Sequence, residues 1–181
     1  MNDRLWWYVA RSSGLVAWVL LAASNLWGLA LTTRLSRRFA PRWLLDVHRF
    51  LGGLAVAFVG IHLAGIVADT FVHFGLADVL VPLASDWHPW DIAWGVVALY
   101  LILAVEVTSL LRHRLPHRVW KAVHGLSFLL FLVATVHVLL AGTDAGDWWA
   151  LAPVIGVTMA VTFLSVARIA AGPRPARTPA P

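Results

Sequence analysis

Five long apolar runs, at roughly residues 5–31, 43–68, 92–111, 119–141 and 149–170, constrain this chain more than any other feature. A bilayer core of about 30 Å is crossed by about 20 apolar helical residues, and each run is long enough. Charged residues make up 13% of the 181 positions, where a soluble domain carries about 25%. Mean hydropathy is +0.78. The reading is an all-α integral membrane protein, a five-transmembrane-helix bundle. The first run is too long for a signal-peptide core and no clean small-residue cleavage site follows it, so it is expected to be retained. No internal repeat is evident. The tail GPRPARTPAP, residues 172–181, is Pro-rich and basic and is expected to be disordered. With no cysteine in the chain, disulfides, iron–sulfur clusters and thiolate metal sites are excluded.

The connections sort by charge. The first, TRLSRRFAPR, holds Arg34, Arg37, Arg38 and Arg42; the third, RHRLPHRVWK, holds Arg112, Arg114, Arg118 and Lys121. Arg168, Arg174 and Arg177 follow the last run. The second connection has Asp69, Asp78, Asp86 and Asp91 without Lys or Arg, and the fourth has Asp144 and Asp147. The positive-inside rule then predicts a cytoplasmic C-terminus and an outside N-terminus, as five crossings require. Trp6, Trp7, Trp87, Trp90, Trp148 and Trp149 fall at the predicted outer border, and Trp43 and Trp120 at the inner one, as aromatic belts do. The formal net charge of +5 is thus accounted for by topology. No nucleic-acid partner is expected; the partner surface is the lipid of a cell membrane, crossed several times.

Within this frame the stretch DVHRFLGGLAVAFVGIHLAG places His48 and His62 in the second run, and VHGLSFLLFLVATVHVLLAG places His124 and His137 in the fourth. Both runs go from inside to outside. At a rise of 1.5 Å per residue, His48 lies about 7 Å beyond Trp43, with His124 similarly placed beyond Arg118. Spacings of 14 and 13 lift His62 and His137 about 20 Å further. The four form two level pairs, one near each face. A lone membrane histidine often serves as a hydrogen-bonding partner between helices, but ionisable groups in a membrane are functional hypotheses by default.

A bis-histidine haem needs one neutral imidazole on each side of its iron, here from facing helices. Gly52, Gly53, Gly60, Gly65 and Gly125 lie near the histidines and would leave room for a macrocycle. Arg49, Arg118 and Lys121 lie near the inner pair, where propionates would be met. Two stacked haems would form an electron path across the bilayer. One difficulty is angular. At about 100° per residue, fourteen residues return to within about 40° of the starting face, whereas thirteen miss by about 140°. The fourth helix must supercoil, overwind locally, or present its histidines on different sides.

These residues resemble the ferric reductase-like transmembrane domain family, which includes NADPH oxidases, ferric reductases and the haem-binding membrane subunit of the periplasmic methionine sulfoxide reductase system. The hallmark is H-x13-H on one helix and H-x12-H on the next but one, matched by His48/His62 and His124/His137. The resemblance runs from about residue 8 to residue 145, within a haem domain taken as 1–171. It implies two b-type haems, the inner bound by His48 with His124 and the outer by His62 with His137. It also places Arg11, in ARSSGLVAWVLL, beside the outer haem; the alternative is an arginine that snorkels to the outer headgroups. Five crossings stand where six are usual. No G-x-G-x-x-G or other flavin or nicotinamide fingerprint is present, so the resemblance is closest to haem-only members, with no flavin bound by a domain of this chain. A partner flavin reductase or the quinone pool is then the expected donor, and a redox protein, ferric iron or oxygen outside the expected acceptor.

Other features carry less. His73 and His88 in the acidic outer loop suggest a metal site with Asp86 or Asp91, against a plain solvated loop. His113 and His117 read as surface residues of the basic loop. Glu106 reads as snorkelling inward or pairing with a base, a proton relay being the bolder alternative. Asp46 is placed to hold Arg49 or to orient a ligand imidazole. Two rival functions use the same chain differently: a non-redox metal-ion carrier, which needs ligands converging at the midplane, and a structural subunit with no cofactor.

Overall fold

The structure is a computed structural model that describes residues 4–32, 42–142 and 146–170. Every regular element among the described residues is helical: α1 Leu5–Thr32, α2 Arg42–Ala68, α3 Leu76–Leu80, α4 Pro89–Leu110, α5 His117–Gly125, α6 Ser127–Ala141 and α7 Trp148–Ala170. Helices α1, α2, α4 and α7, and α5 with α6 taken together, are each long and apolar enough to span a membrane. Lipid offers no hydrogen bonds to the backbone, so these runs satisfy their amides internally as helices. Their outward faces are apolar, as at Phe50, Leu110, Met159 and Phe163, all more than half exposed. A multi-pass membrane protein accounts for such a surface. We use outer and inner for the two ends as the loop charges assign them.

Helices α1 and α2 pack along their lengths, and α4 packs on α6. The core lies between these pairs, at mid-height. Trp18, Leu21, Ala55, Leu99, Ile102, Leu130, Phe131 and Val161 are among its buried members. Trp18 stacks on Phe131 with ring centres 5.8 Å apart and donates its Nε1–H to Thr135 Oγ1 at 2.9 Å. Phe131 lies in sequence between His124 and His137, and Trp18 of α1 packs on it, so aromatic packing separates the two levels.

The fourth apolar run is two helices rather than one. At Leu126 the backbone takes φ −66°, ψ −8°, and its amide bonds the Val123 carbonyl three residues back at 2.9 Å. Such a turn advances about 120° per residue against about 100° in an α-helix. One overwound step gains a small part of the 140° deficit, and the remainder is avoided because His124 and His137 ride on separate helices. Gly125 stands at the break, with nothing within 4 Å of where a Cβ would be. Glycine weakens a helix by about 1 kcal/mol relative to alanine, which makes this the natural place to interrupt it.

The outer connection between α2 and α4 contains the short helix α3, where the sequence predicts only loop. It is tied down by the Tyr100 hydroxyl, which donates to the Leu80 carbonyl at 2.7 Å, and by burial of Val79. Helix α4 then starts with Pro89 in its first turn, directly after His88 at φ 45°. Proline suits that turn because its missing N–H would be unpaired there anyway.

Candidate functional site

The four histidines of the two spaced motifs meet in pairs. His48 faces His124 with ring centres 6.0 Å apart and planes at 82°. His62 faces His137 at 6.3 Å and 76°. An imidazole nitrogen binds a metal at about 2.0–2.1 Å and lies about 1.1 Å from its ring centre, so two imidazoles on opposite sides of one ion have centres about 6.3 Å apart. Both pairs are spaced to share an ion.

Each Nδ1 is already engaged. His62 Nδ1 donates to the Ala10 carbonyl at 2.6 Å and His137 Nδ1 to the Asp91 carbonyl at 2.8 Å. His48 Nδ1 lies 3.3 Å from Ser24 Oγ, and His124 Nδ1 lies 3.3 Å from Ser109 Oγ. A carbonyl only accepts, so in the outer pair the proton sits on Nδ1 and the lone pair on Nε2, the state a metal requires.

Three rings rest on glycines of a neighbouring helix. A Cβ at Gly14 would stand 2.8 Å from His62 Nδ1, one at Gly28 3.2 Å from His48 Cε1, and one at Gly95 2.7 Å from His137 Cε1. In each case the group bonded to Nδ1 belongs to the residue four positions earlier: Ala10, Ser24 and Asp91. One helical turn separates the two, so the missing side chain opens a notch through which the ring reaches that partner. The glycines anticipated for this role act differently. Gly52 packs against Glu106 and Gly65 against the Ala10 backbone, while Gly53, Gly60 and Gly125 face open space.

A cavity of about 390 Å³ opens at the outer pair, lined by His62, His137, Gly14, Gly95, Arg11 and Asp69 among others. Arg11 thus shares a cavity with that pair, and its guanidinium also lies 5.2 Å from the Trp7 ring centre. At the inner end Arg49 pairs with Asp46 at 3.6 Å, so of the two roles weighed for Asp46 it takes the first, and Ser24 meets His48 instead. Arg118 and Lys121 are exposed, as are His113 and His117. Trp120, unremarked except as a border residue, stacks on His124 with centres 5.2 Å apart and planes at 20°.

The outer-loop metal site does not assemble. His73 is exposed, His88 Nδ1 turns to Asp91 Oδ2 at 3.1 Å, and among the described residues no three His, Cys, Asp or Glu side chains converge. Glu106 faces Gly52 of α2 and makes no ion pair among the described residues. Arg34, Arg37, Arg38, Asp144 and the 172–181 tail lie outside the described residues.

Residues 13–135, more than half of the chain, match the family described as Ferric reductase like transmembrane component. The chain belongs to that family. No curated protein and no solved structure matches it. The ferric reductase like transmembrane component match takes in His48, His62 and His124 and ends two residues before His137. Membership implies redox work in a membrane, the transfer of electrons by a domain of a kind that generally binds haem and usually works with a cytoplasmic reductase partner.

Proposed function

We propose that this chain is a di-haem b-type cytochrome that carries electrons across a cell membrane, from a cytoplasmic-side donor to an acceptor outside. Its N-terminus lies outside and its C-terminus in the cytoplasm. His48 and His124 are the axial ligands of the inner haem, and His62 and His137 those of the outer. The observation that carries this reading is the pairing itself: two imidazole pairs at 6.0 and 6.3 Å, each Nδ1 within 3.3 Å of a hydrogen-bonding group. Bound there, haem iron supplies a one-electron couple at each level.

The protein's own groups do the rest. The Ala10 and Asp91 carbonyls hold the outer rings in the tautomer that binds metal, and such partners raise ligand basicity. Trp18 and Phe131 exclude water between the levels. Arg11 places a positive charge on the outer cavity, where it favours an added electron. Without cysteine, covalent attachment as in c-type cytochromes is excluded. The donor is a flavin reductase partner or the quinone pool; the acceptor is a redox protein, ferric iron or oxygen. A metal-ion carrier would gather its ligands at one depth, whereas these pairs are about 20 Å apart by helical rise.

The deciding measurement is an absorption spectrum of purified protein expressed with added haem, with a pyridine haemochrome assay. About two haems b per chain are expected. Protein with no Soret band would end this reading.

A further inference from the structure

Among the described residues two buried side-chain atoms have no hydrogen-bond partner, and one of them is Trp120 Nε1. An indole N–H can only donate, and a buried donor left unmet is destabilising. Its position is well defined by its neighbours. The ring lies flat against His124 at 5.2 Å and 20°, and His117 of the preceding turn lies tilted against it at 5.5 Å. An unmet donor therefore sits beside the inner histidine pair.

The cations expected to meet acidic groups there lie at its exposed edge. Arg49 reaches Asp46, with both side chains more than half exposed, and Arg118 and Lys121 are exposed on α5. Among the described residues, the unmet buried donor beside the inner pair is the indole. We propose that Trp120 donates its Nε1–H to a carboxylate of the haem held by His48 and His124, and thereby seats that haem in one orientation. This rests on the di-haem reading. A haem carries two carboxylate arms, and a carboxylate is the acceptor that the indole lacks. A hydrogen bond to an ionised acceptor is roughly twice as strong as a neutral one. The competing partner for a border tryptophan is a lipid headgroup, in which case Trp120→Phe leaves haem retention unchanged.

Trp120→Phe keeps a flat ring on His124 and removes the donor. Both haems should still bind, and the outer haem reports that the variant is folded. Transfer of the inner haem to apomyoglobin should be roughly tenfold faster than in wild type, the scale of one charge-assisted hydrogen bond. The inner midpoint potential should fall while the outer one stays. With haem labelled at its propionate carbons, the inner carboxylate band in redox infrared difference spectra should shift. Arg114→Gln, at an exposed position of the loop before α5, should leave all three readouts unchanged. The inference is overturned if Trp120→Phe matches wild type, if both haems respond alike, or if Arg118→Gln or Lys121→Gln releases the inner haem instead. A wild-type protein without haem would overturn the parent reading and this inference with it. Wild type with two haems, and no response to Trp120→Phe, overturns this inference alone.

Discussion

At the outer pair both imidazoles donate to backbone carbonyls, at 2.6 and 2.8 Å, whereas at the inner pair both face serine hydroxyls at 3.3 Å. A carbonyl accepts and nothing else, so it fixes the ring's tautomer; a hydroxyl donates or accepts, so it leaves the tautomer open. The outer partners are also beyond the reach of side-chain mutation, while the inner ones are two replaceable serines. The same helical notch thus serves two purposes. Outside, it makes a rigid mount; inside, an adjustable one.

The largest effects should come from the ligands themselves. His48→Ala or His124→Ala should remove the inner haem and leave the outer; His62→Ala or His137→Ala should do the reverse, read from haem stoichiometry and low-temperature spectra. If His48→Ala and His62→Ala removed the same spectral component, the two levels would not be separate sites.

Next come the notches. An added methyl at Gly95 or Gly14 would press on a ring at 2.7 or 2.8 Å, whereas at Gly28 it would stand at 3.2 Å. Overpacking of this kind costs about 1–3 kcal/mol, so Gly95→Ala and Gly14→Ala should weaken outer haem retention about tenfold or more. Gly28→Ala should weaken the inner one less. Equal losses across all three would mean that the outer mount is no tighter than the inner.

Arg11→Ala should lower the outer midpoint potential and spare the inner. For charges about 8 Å apart at an effective dielectric of about 20, the interaction is on the order of 2 kcal/mol. With about 59 mV per tenfold change, that is on the order of 90 mV before solvent and neighbouring groups reduce it several-fold. A redox titration following both haems decides. Equal shifts, or none, would return Arg11 to the role of a snorkelling side chain.

The smallest effect belongs to the adjustable mount. Ser24→Ala and Ser109→Ala each remove a weak bond to Nδ1, which makes the imidazole a poorer electron donor and disfavours ferric iron. The inner potential should rise by about 20–40 mV, the scale of a fraction of one hydrogen bond. No change in the double variant would show that the inner rings do not depend on these hydroxyls.

The five spans were legible because lipid leaves a long apolar run little freedom, and the paired levels were legible because helical rise converts spacing into depth. The notches were not recognised, although their signal was present. Gly14 and Gly28 repeat on α1 the fourteen-residue spacing of His48 and His62, as they must on an antiparallel neighbour. On the histidine helix α2 itself, Gly52 and Gly65 serve packing against α4 and α1 instead. The break at Leu126 was legible only as a contradiction, a spacing of thirteen that no straight helix could reconcile. Trp120 was hidden by its composition role, since a border tryptophan looks the same whether its N–H meets lipid or a cofactor.

That break also bears on how such a protein is put together. Helix α5 has nine residues, and none of its side chains is fully buried. Its folding leans on neighbours, and any molecule that bridges His124 to His48 stabilises it by mass action. The outer histidines ride on α2 and α6, which are held by the mid-height core whether or not the inner end is ordered. On the di-haem reading, assembly has a natural order: the outer site is ready as soon as the bundle forms, and the inner site is completed by what it binds. In a cell short of haem, the shortage would be felt first at the inner end.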